Sequence, residues 1–62
     1  NKEVFMADFI KRMIIEASKE SVEAGQEKYR KYFIYTKIYK KYKAKVDSEL
    51  IKEGHKELIV TK

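Results

Sequence analysis

Sixty-two residues suffice for one domain, and a chain this short buries a smaller share of its surface on folding than a domain of average size does. It has no cysteine and only one histidine, which excludes disulfides and Cys/His zinc sites as a means of stabilising a small core. Fifteen basic and ten acidic side chains give a net charge of +5. With no thiol nucleophile and a single imidazole, we expect no enzyme, no cofactor and no metal.

The first predicted element is an amphipathic helix from about residue 2 to residue 24. On a helical wheel of about 100° per residue, small and apolar side chains fall on one face and charged side chains on the other. The apolar face consists of Met6, Ala7, Phe9, Ile10, Met13, Ile14, Ala17, Ser21 and Ala24. Asn1 is a suitable N-cap. Gly25 follows the last residue of the pattern, and we expect a turn there because a left-handed C-cap favours glycine.

The second predicted element is a helix from about residue 27 to residue 53, ending before Gly54. The feature that predicts it is a row of tyrosines spaced three or four residues apart, the spacing of neighbours on a helix face. The row comprises Tyr29, Tyr32, Tyr35, Tyr39 and Tyr42. We interpret it as core packing, with a stacking platform for nucleic-acid bases as the alternative.

Two alternatives to a single second helix stay open. Residues 33–46 contain several strand-forming side chains, although no glycine pair marks a hairpin turn. Asp47 and Ser48 are suitable caps for a fresh short helix. After Gly54 the tail has strand character, and we expect it to fold back over the helices or to pair with a symmetry mate.

These elements predict an all-α fold, an antiparallel helical hairpin of two main helices with a short C-terminal extension at residues 54–62. An arrangement of three short helices is the runner-up. Nothing marks a domain boundary, because proline, flexible linkers and internal repeats are absent, so residues 1–62 are expected to form one domain. No apolar run approaches the roughly 20 residues that span a bilayer and no signal peptide is present, which favours a cytoplasmic location.

Charge is concentrated in one segment. Residues 28–46 carry eight lysines or arginines and no acid, whereas the segments on either side are slightly acidic. On a continuous second helix the cations opposite the tyrosines are Arg30, Lys31, Lys37, Lys41 and Lys45. Such a face would attract a phosphate backbone or an acidic partner, but solvated lysine-rich faces are also common.

Four apolar residues do not fit the two predicted core stripes. Ile34 and Ile38 fall within the basic face, while Phe5 and Ile15 fall toward the polar side of the first helix. Apolar side chains in such positions indicate contact with protein, and an interface built from them would compensate for a small core. We therefore expect a non-enzymatic interaction module that forms a homo-oligomer, with a dimer favoured, or that docks on a larger protein. The alternative is a small basic nucleic-acid-binding regulator.

Overall fold

The computed structural model describes all residues, 1–62, and every regular element in it is helical. Three α-helices follow one another: α1 (Lys2–Ser18), α2 (Val22–Phe33) and α3 (Lys43–Lys52). Two single 3-10 turns, Lys40–Tyr42 and Lys56–Leu58, precede and follow α3. The predicted all-α class is confirmed. Helices α1 and α2 pack closely as a hairpin, and α3 forms a third, C-terminal helix against α1.

Helix α1 begins as predicted and ends earlier. The Asn1 side-chain oxygen accepts hydrogen bonds from the backbone amides of Glu3 (2.8 Å) and Val4 (3.3 Å). The expected continuation to residue 24 is wrong, because Ser21 adopts an extended conformation and its hydroxyl accepts from the amide of Ala24 (3.0 Å), which caps a new helix. The predicted turn at Gly25 is also wrong, since Gly25 is buried within α2.

The single helix predicted over residues 27–53 is divided in two. Helix α2 ends at Phe33, where the amides of Ile34 and Tyr35 both donate to the carbonyl of Arg30 at 2.8 Å. A helix of that length would extend about 40 Å, against about 25 Å for α1, so much of its apolar stripe would lie beyond α1. The irregular residues 34–39 bring the chain back, and α3 can then bury Val46 and Leu50.

The core consists of nine buried apolar side chains contributed by every element. They are Ala7, Ile10, Ile14, Tyr29, Phe33, Tyr42, Val46, Leu50 and Leu58. Gly54 ends α3 with a φ of 83°, in the left-handed region that the sequence predicts for it. The tail then folds back, as expected, and inserts Leu58 between α2 and α3.

The tyrosine row is divided between core and surface. Tyr29 and Tyr42 are buried, Tyr32 and Tyr39 pack edge to face with ring centres 5.2 Å apart, and Tyr35 is exposed. The Tyr29 hydroxyl donates to the Asp47 carboxylate (2.7 Å), whose second oxygen accepts from Lys43 (2.8 Å). Burial, reinforced by the hydrogen bond to Asp47, raises the pKa of Tyr29 to about 12. Core packing is therefore confirmed for two members of the row.

The raised pKa of Tyr29 predicts loss of stability in alkaline solution. The unfolded chain releases this proton near pH 10 and the folded chain only near pH 12, so the contribution is complete below pH 10 and is lost between the two values. In Tyr29→Phe we expect a shallower fall of the free energy of unfolding over that range, measured by urea titration at stepped pH. Lys11 keeps an alkaline dependence of its own, since the pKa of its ammonium group is raised by its hydrogen bond to Glu53.

The exposed Tyr35 provides the matched control for this measurement. Tyr35→Phe removes the same hydroxyl from a side chain that is 64% exposed, so the wild-type pH profile should be retained. If the free energy of unfolding falls as steeply with pH in Tyr29→Phe as in Tyr35→Phe, Tyr29 is not the cause of the alkaline loss of stability. At neutral pH the lost hydrogen bond to Asp47 should cost about 1 kcal/mol.

Candidate interaction surfaces

The five predicted cations do not share a single helix face, because the helix assumed for them is interrupted at residues 34–39. Arg30 turns toward the tail, where its guanidinium donates to the backbone carbonyl of Lys62 and lies 3.4 Å from Glu27. Lys31 lies on the other flank of α2, beside α1. Lys37 lies in the irregular connection. The structure therefore separates these three positions from one another.

Lys41 and Lys45 remain one turn apart and line a common cleft of about 270 Å³ at the N-terminus of α1. The Lys41 ammonium group lies 5.3 Å from the centre of the Tyr42 ring, and that of Lys45 lies 3.8 Å from Glu49. Lys40, which the wheel of a continuous helix did not assign to the basic face, shares the 3-10 turn with Lys41. This end of the molecule therefore has a smaller basic cluster than the sequence predicted, consisting of Lys40, Lys41 and Lys45.

The four predicted interface residues differ in exposure. Ile38 is 77% exposed and Phe5 is 68% exposed. In contrast, Ile15 is half-buried against the core, and Ile34 is half-buried at the C-terminus of α2. Phe5 and Ile38 are thus the two members of the set that are accessible to a partner.

Two further large apolar side chains, Phe9 and Tyr35, are exposed although the sequence predicted them to face the core. Phe9 lies one turn from Phe5 on the outer side of α1. Ile38 lies just before the 3-10 turn Lys40–Tyr42, whose Lys41 and Tyr42 line a cleft with the first residues of α1, whereas Tyr35 lines a groove between α1 and α2. We call Phe5, Phe9, Tyr35 and Ile38 the apolar rim.

A groove of about 450 Å³ runs between α1 and α2 on one side of the molecule. It is lined by Ala17, Glu20, Ala24, Glu27, Lys28, Lys31 and Tyr35. The two alanines leave room between the helices, and two acids balance two lysines along the walls. Glu27 pairs with Arg30, whereas Glu20, Lys28 and Lys31 have no oppositely charged side chain within 4.0 Å. We call this feature the α1–α2 groove.

Several ionisable side chains outside the groove form pairs. Lys11 is nearly buried between α1 and α3, and its ammonium group contacts Glu53 (2.5 Å) and Asp8 (3.3 Å). His55 lies 3.9 Å from Glu57, beyond the end of α3. No three histidine, aspartate or glutamate side chains converge in a way that could hold a metal ion.

Comparisons with protein-family models, curated proteins and solved structures give no match for this chain. None of its helices combines the length and the apolar character needed to cross a membrane. The surface features of this molecule that could contact a partner are the apolar rim, the α1–α2 groove and the basic cluster.

Proposed function

We propose that this protein is a non-enzymatic protein–protein interaction module that associates with itself, most simply as a dimer, through the apolar rim. The observation that carries the proposal is the exposure of Phe5 and Ile38, 68% and 77%, at the same end of a molecule whose core has only nine apolar side chains. Single exposed apolar residues are ordinary on protein surfaces. A group of them marks a contact site.

The sequence of α1 supports the same proposal. Six of the seven residues from Val4 to Ile10 are apolar, and only Asp8 interrupts them. A helical segment that is apolar on every side is typical of a buried helix. Here, however, Val4, Phe5 and Phe9 are each about half exposed or more. Full burial of such a side chain is worth about 1.5–3 kcal/mol, so burying the half that is still exposed would contribute about half of that and favours association.

Replacing Ile38 by aspartate is expected to dissociate the dimer. A carboxylate in the contact would lose its hydration without a partner, so the dissociation constant should rise by about tenfold or more. The measurement is light scattering coupled to size-exclusion chromatography over a range of concentrations. Ile51→Asp is the matched control, since Ile51 is 55% exposed on α3 and lies outside the rim.

The outcomes of this experiment separate the possibilities. Dissociation by Ile38→Asp together with an intact Ile51→Asp dimer supports self-association through the rim. Equal dissociation by both variants would show that the rim is not the contact. A wild-type chain that is monomeric at all concentrations would contradict self-association and leave docking on a larger protein as the function of the rim.

Nucleic-acid binding is the second candidate function, and one observation favours it. In the basic cluster, Lys40 and Lys41 have no acidic side chain within 4.0 Å, and Lys45 lies 3.8 Å from Glu49. Lysines without intramolecular partners are available to phosphates, and the binding would depend on charge more than on base sequence.

Charge reversal at Lys41 and Lys45 tests this second candidate. For the doubly reversed protein we expect weaker binding to mixed duplex DNA and RNA and a shallower dependence on salt, measured by fluorescence anisotropy at stepped salt concentrations. Ile38→Asp should change this binding much less than the double charge reversal does. If the double reversal leaves the affinity unchanged, the basic cluster is only a solvated surface.

A further inference from the structure

The charged side chains of the α1–α2 groove differ in sign between its two ends. Of the four charged side chains that line the groove, Glu20 lies nearest the turn that joins the helices, and Glu27 and Lys28 follow on α2. Lys31 lies toward the apolar rim, because α2 runs back along α1 from that turn. The groove therefore has the acid Glu20 at one end and the base Lys31 at the other, so two such surfaces bring opposite charges together when one is reversed relative to the other.

The sizes of the apolar side chains follow the same order. Ala17 and Ala24 line the groove in the half near the turn, where they leave a depression. Tyr35 is large and exposed, and it lines the same groove from beyond the C-terminus of α2. When a second surface is reversed, its Tyr35 meets the alanines of the first. Large side chains packed against small ones give the interdigitation that close-packed interfaces require.

We infer that a second copy of this chain occupies the α1–α2 groove in the antiparallel sense, with Tyr35 of each copy covering the alanine-lined half of the other. The inference rests on the proposed self-association and names its surface and geometry. The unpaired Lys31 of one copy then lies against the unpaired Glu20 of the other. Because the arrangement is isologous, this contact occurs twice and the dimer is closed.

The size of the molecule also favours a contact that spans both helices. A stable interface buries roughly 800 Å² per partner. The whole accessible surface of this chain is 4442 Å², so such an interface would use nearly a fifth of it. One turn of exposed phenylalanines on α1 is too small for this, whereas the groove together with the rim extends over α1, α2 and the connection that follows.

Charge reversal with mixing tests the antiparallel arrangement. Lys31→Glu and Glu20→Lys should each raise the dissociation constant of the homodimer by about tenfold or more, because each places like charges together twice. Mixed in equal amounts, the two variants should recover an affinity near that of the wild type, since both contacts in the heterodimer are again between opposite charges. Native mass spectrometry with one variant labelled with nitrogen-15 identifies the heterodimer.

Lys52→Glu and Glu57→Lys serve as controls, since they make the same charge changes at exposed positions away from the groove. Neither control variant should change the dissociation constant of the dimer, whether the variants are measured separately or mixed with each other. A carbodiimide, which joins an amine to a carboxylate in direct contact, should also link Lys31 to Glu20 between labelled and unlabelled wild-type chains.

Each outcome has a distinct meaning. Weakening by the single reversals, rescue on mixing and the expected cross-link support the antiparallel dimer. If Ile38→Asp dissociates the dimer but the charge reversals at Lys31 and Glu20 leave its dissociation constant unchanged, this inference is overturned. The proposed self-association would then still stand. A monomeric wild-type chain would overturn both.

Discussion

Replacing Leu58 by alanine is expected to lower the free energy of unfolding by about 2–5 kcal/mol, the cost of truncating a fully buried leucine. For a domain of this length the total is about 3–9 kcal/mol, so a measurable fraction of the variant should be unfolded at room temperature. Leu58 is completely buried although it lies in the last five residues of the chain, and it packs against α2 and α3. The measurement is urea denaturation followed by circular dichroism at 222 nm.

The free energy of unfolding lost in Leu58→Ala should exceed the contribution that the polar contacts of the tail make. The Gln26 side chain donates to the carbonyl of Glu57 (2.8 Å), and Arg30 donates to that of Lys62. Both contacts are exposed, where a hydrogen bond competes with water and is worth about 1 kcal/mol or less. Gln26→Ala should therefore cost much less than Leu58→Ala.

Ile51→Ala is the second control, because Ile51 is an aliphatic side chain of similar size that is 55% exposed. We expect a change of less than about 1 kcal/mol there. A Leu58→Ala variant as stable as Ile51→Ala would mean that the tail is not docked as the structure shows. The contribution of this one leucine illustrates how a chain without disulfides or metals assembles a core from every segment it has.

The fold class was predictable because the periodic pattern of each helix is strong, but the ends of the helices were not. Ser21 fits the apolar stripe of α1 as a small residue and is equally suited to be an N-cap, and periodicity alone does not distinguish the two roles. The hydrogen bond from Ala24 to its hydroxyl decides in favour of the cap. The acidic Glu23 in the first turn of α2 was the available signal.

The break between α2 and α3 has a tertiary cause. The tyrosine spacing continues through residues 34–39 as it would on one helix, so the sequence contains no local stop signal there. The chain bends because Phe33 and Tyr42 are both buried in the same core, whereas a straight helix turns about 900° over nine residues and would place them on opposite faces.

The predicted surfaces changed with that break. Lys41 and Lys45 lie close together as predicted, because their predicted proximity depends on a single helical turn. The predicted proximity of Arg30 and Lys37 to them depended on a continuous helix, which the structure interrupts. Phe9 was placed in the core because a wheel shows the direction of a side chain but not how wide a face its neighbours cover. In α1 the buried positions are confined to Ala7, Ile10, Lys11 and Ile14.

Replacing Gly25 by alanine is expected to destabilise the protein even though Gly25 lies within a helix, where alanine is favoured by about 1 kcal/mol. A Cβ atom at this position would lie 2.7 Å from the Cβ of Ser18 and 2.8 Å from a terminal methyl group of Leu58. Both distances are too short for carbon atoms, so neighbours must move. Overpacking of a core costs about 1–3 kcal/mol, so after the gain in helix propensity we expect a net loss of up to about 2 kcal/mol.

The two contacts differ in how easily they can yield. The Leu58 methyl group ends a side chain that could change its conformation, whereas the new Cβ would also lie 3.1 Å from the Cα of Ser18, which is part of the α1 backbone. Relief at Leu58 alone is therefore incomplete. The position requires glycine so that α1, α2 and the tail can approach one another closely, which is a different role from the turn that its place in the sequence indicates.

A double-mutant cycle with Leu58→Val isolates this contact, because valine lacks the methyl group that a Cβ at Gly25 would meet. If the contact is responsible, Gly25→Ala should cost less in the Leu58→Val background than in the wild type, with a coupling of about 0.5–3 kcal/mol. Additive effects would show that crowding at Leu58 contributes nothing. A stabilised Gly25→Ala single variant would show that helix propensity outweighs packing here, and that the three segments meet less closely than the structure shows.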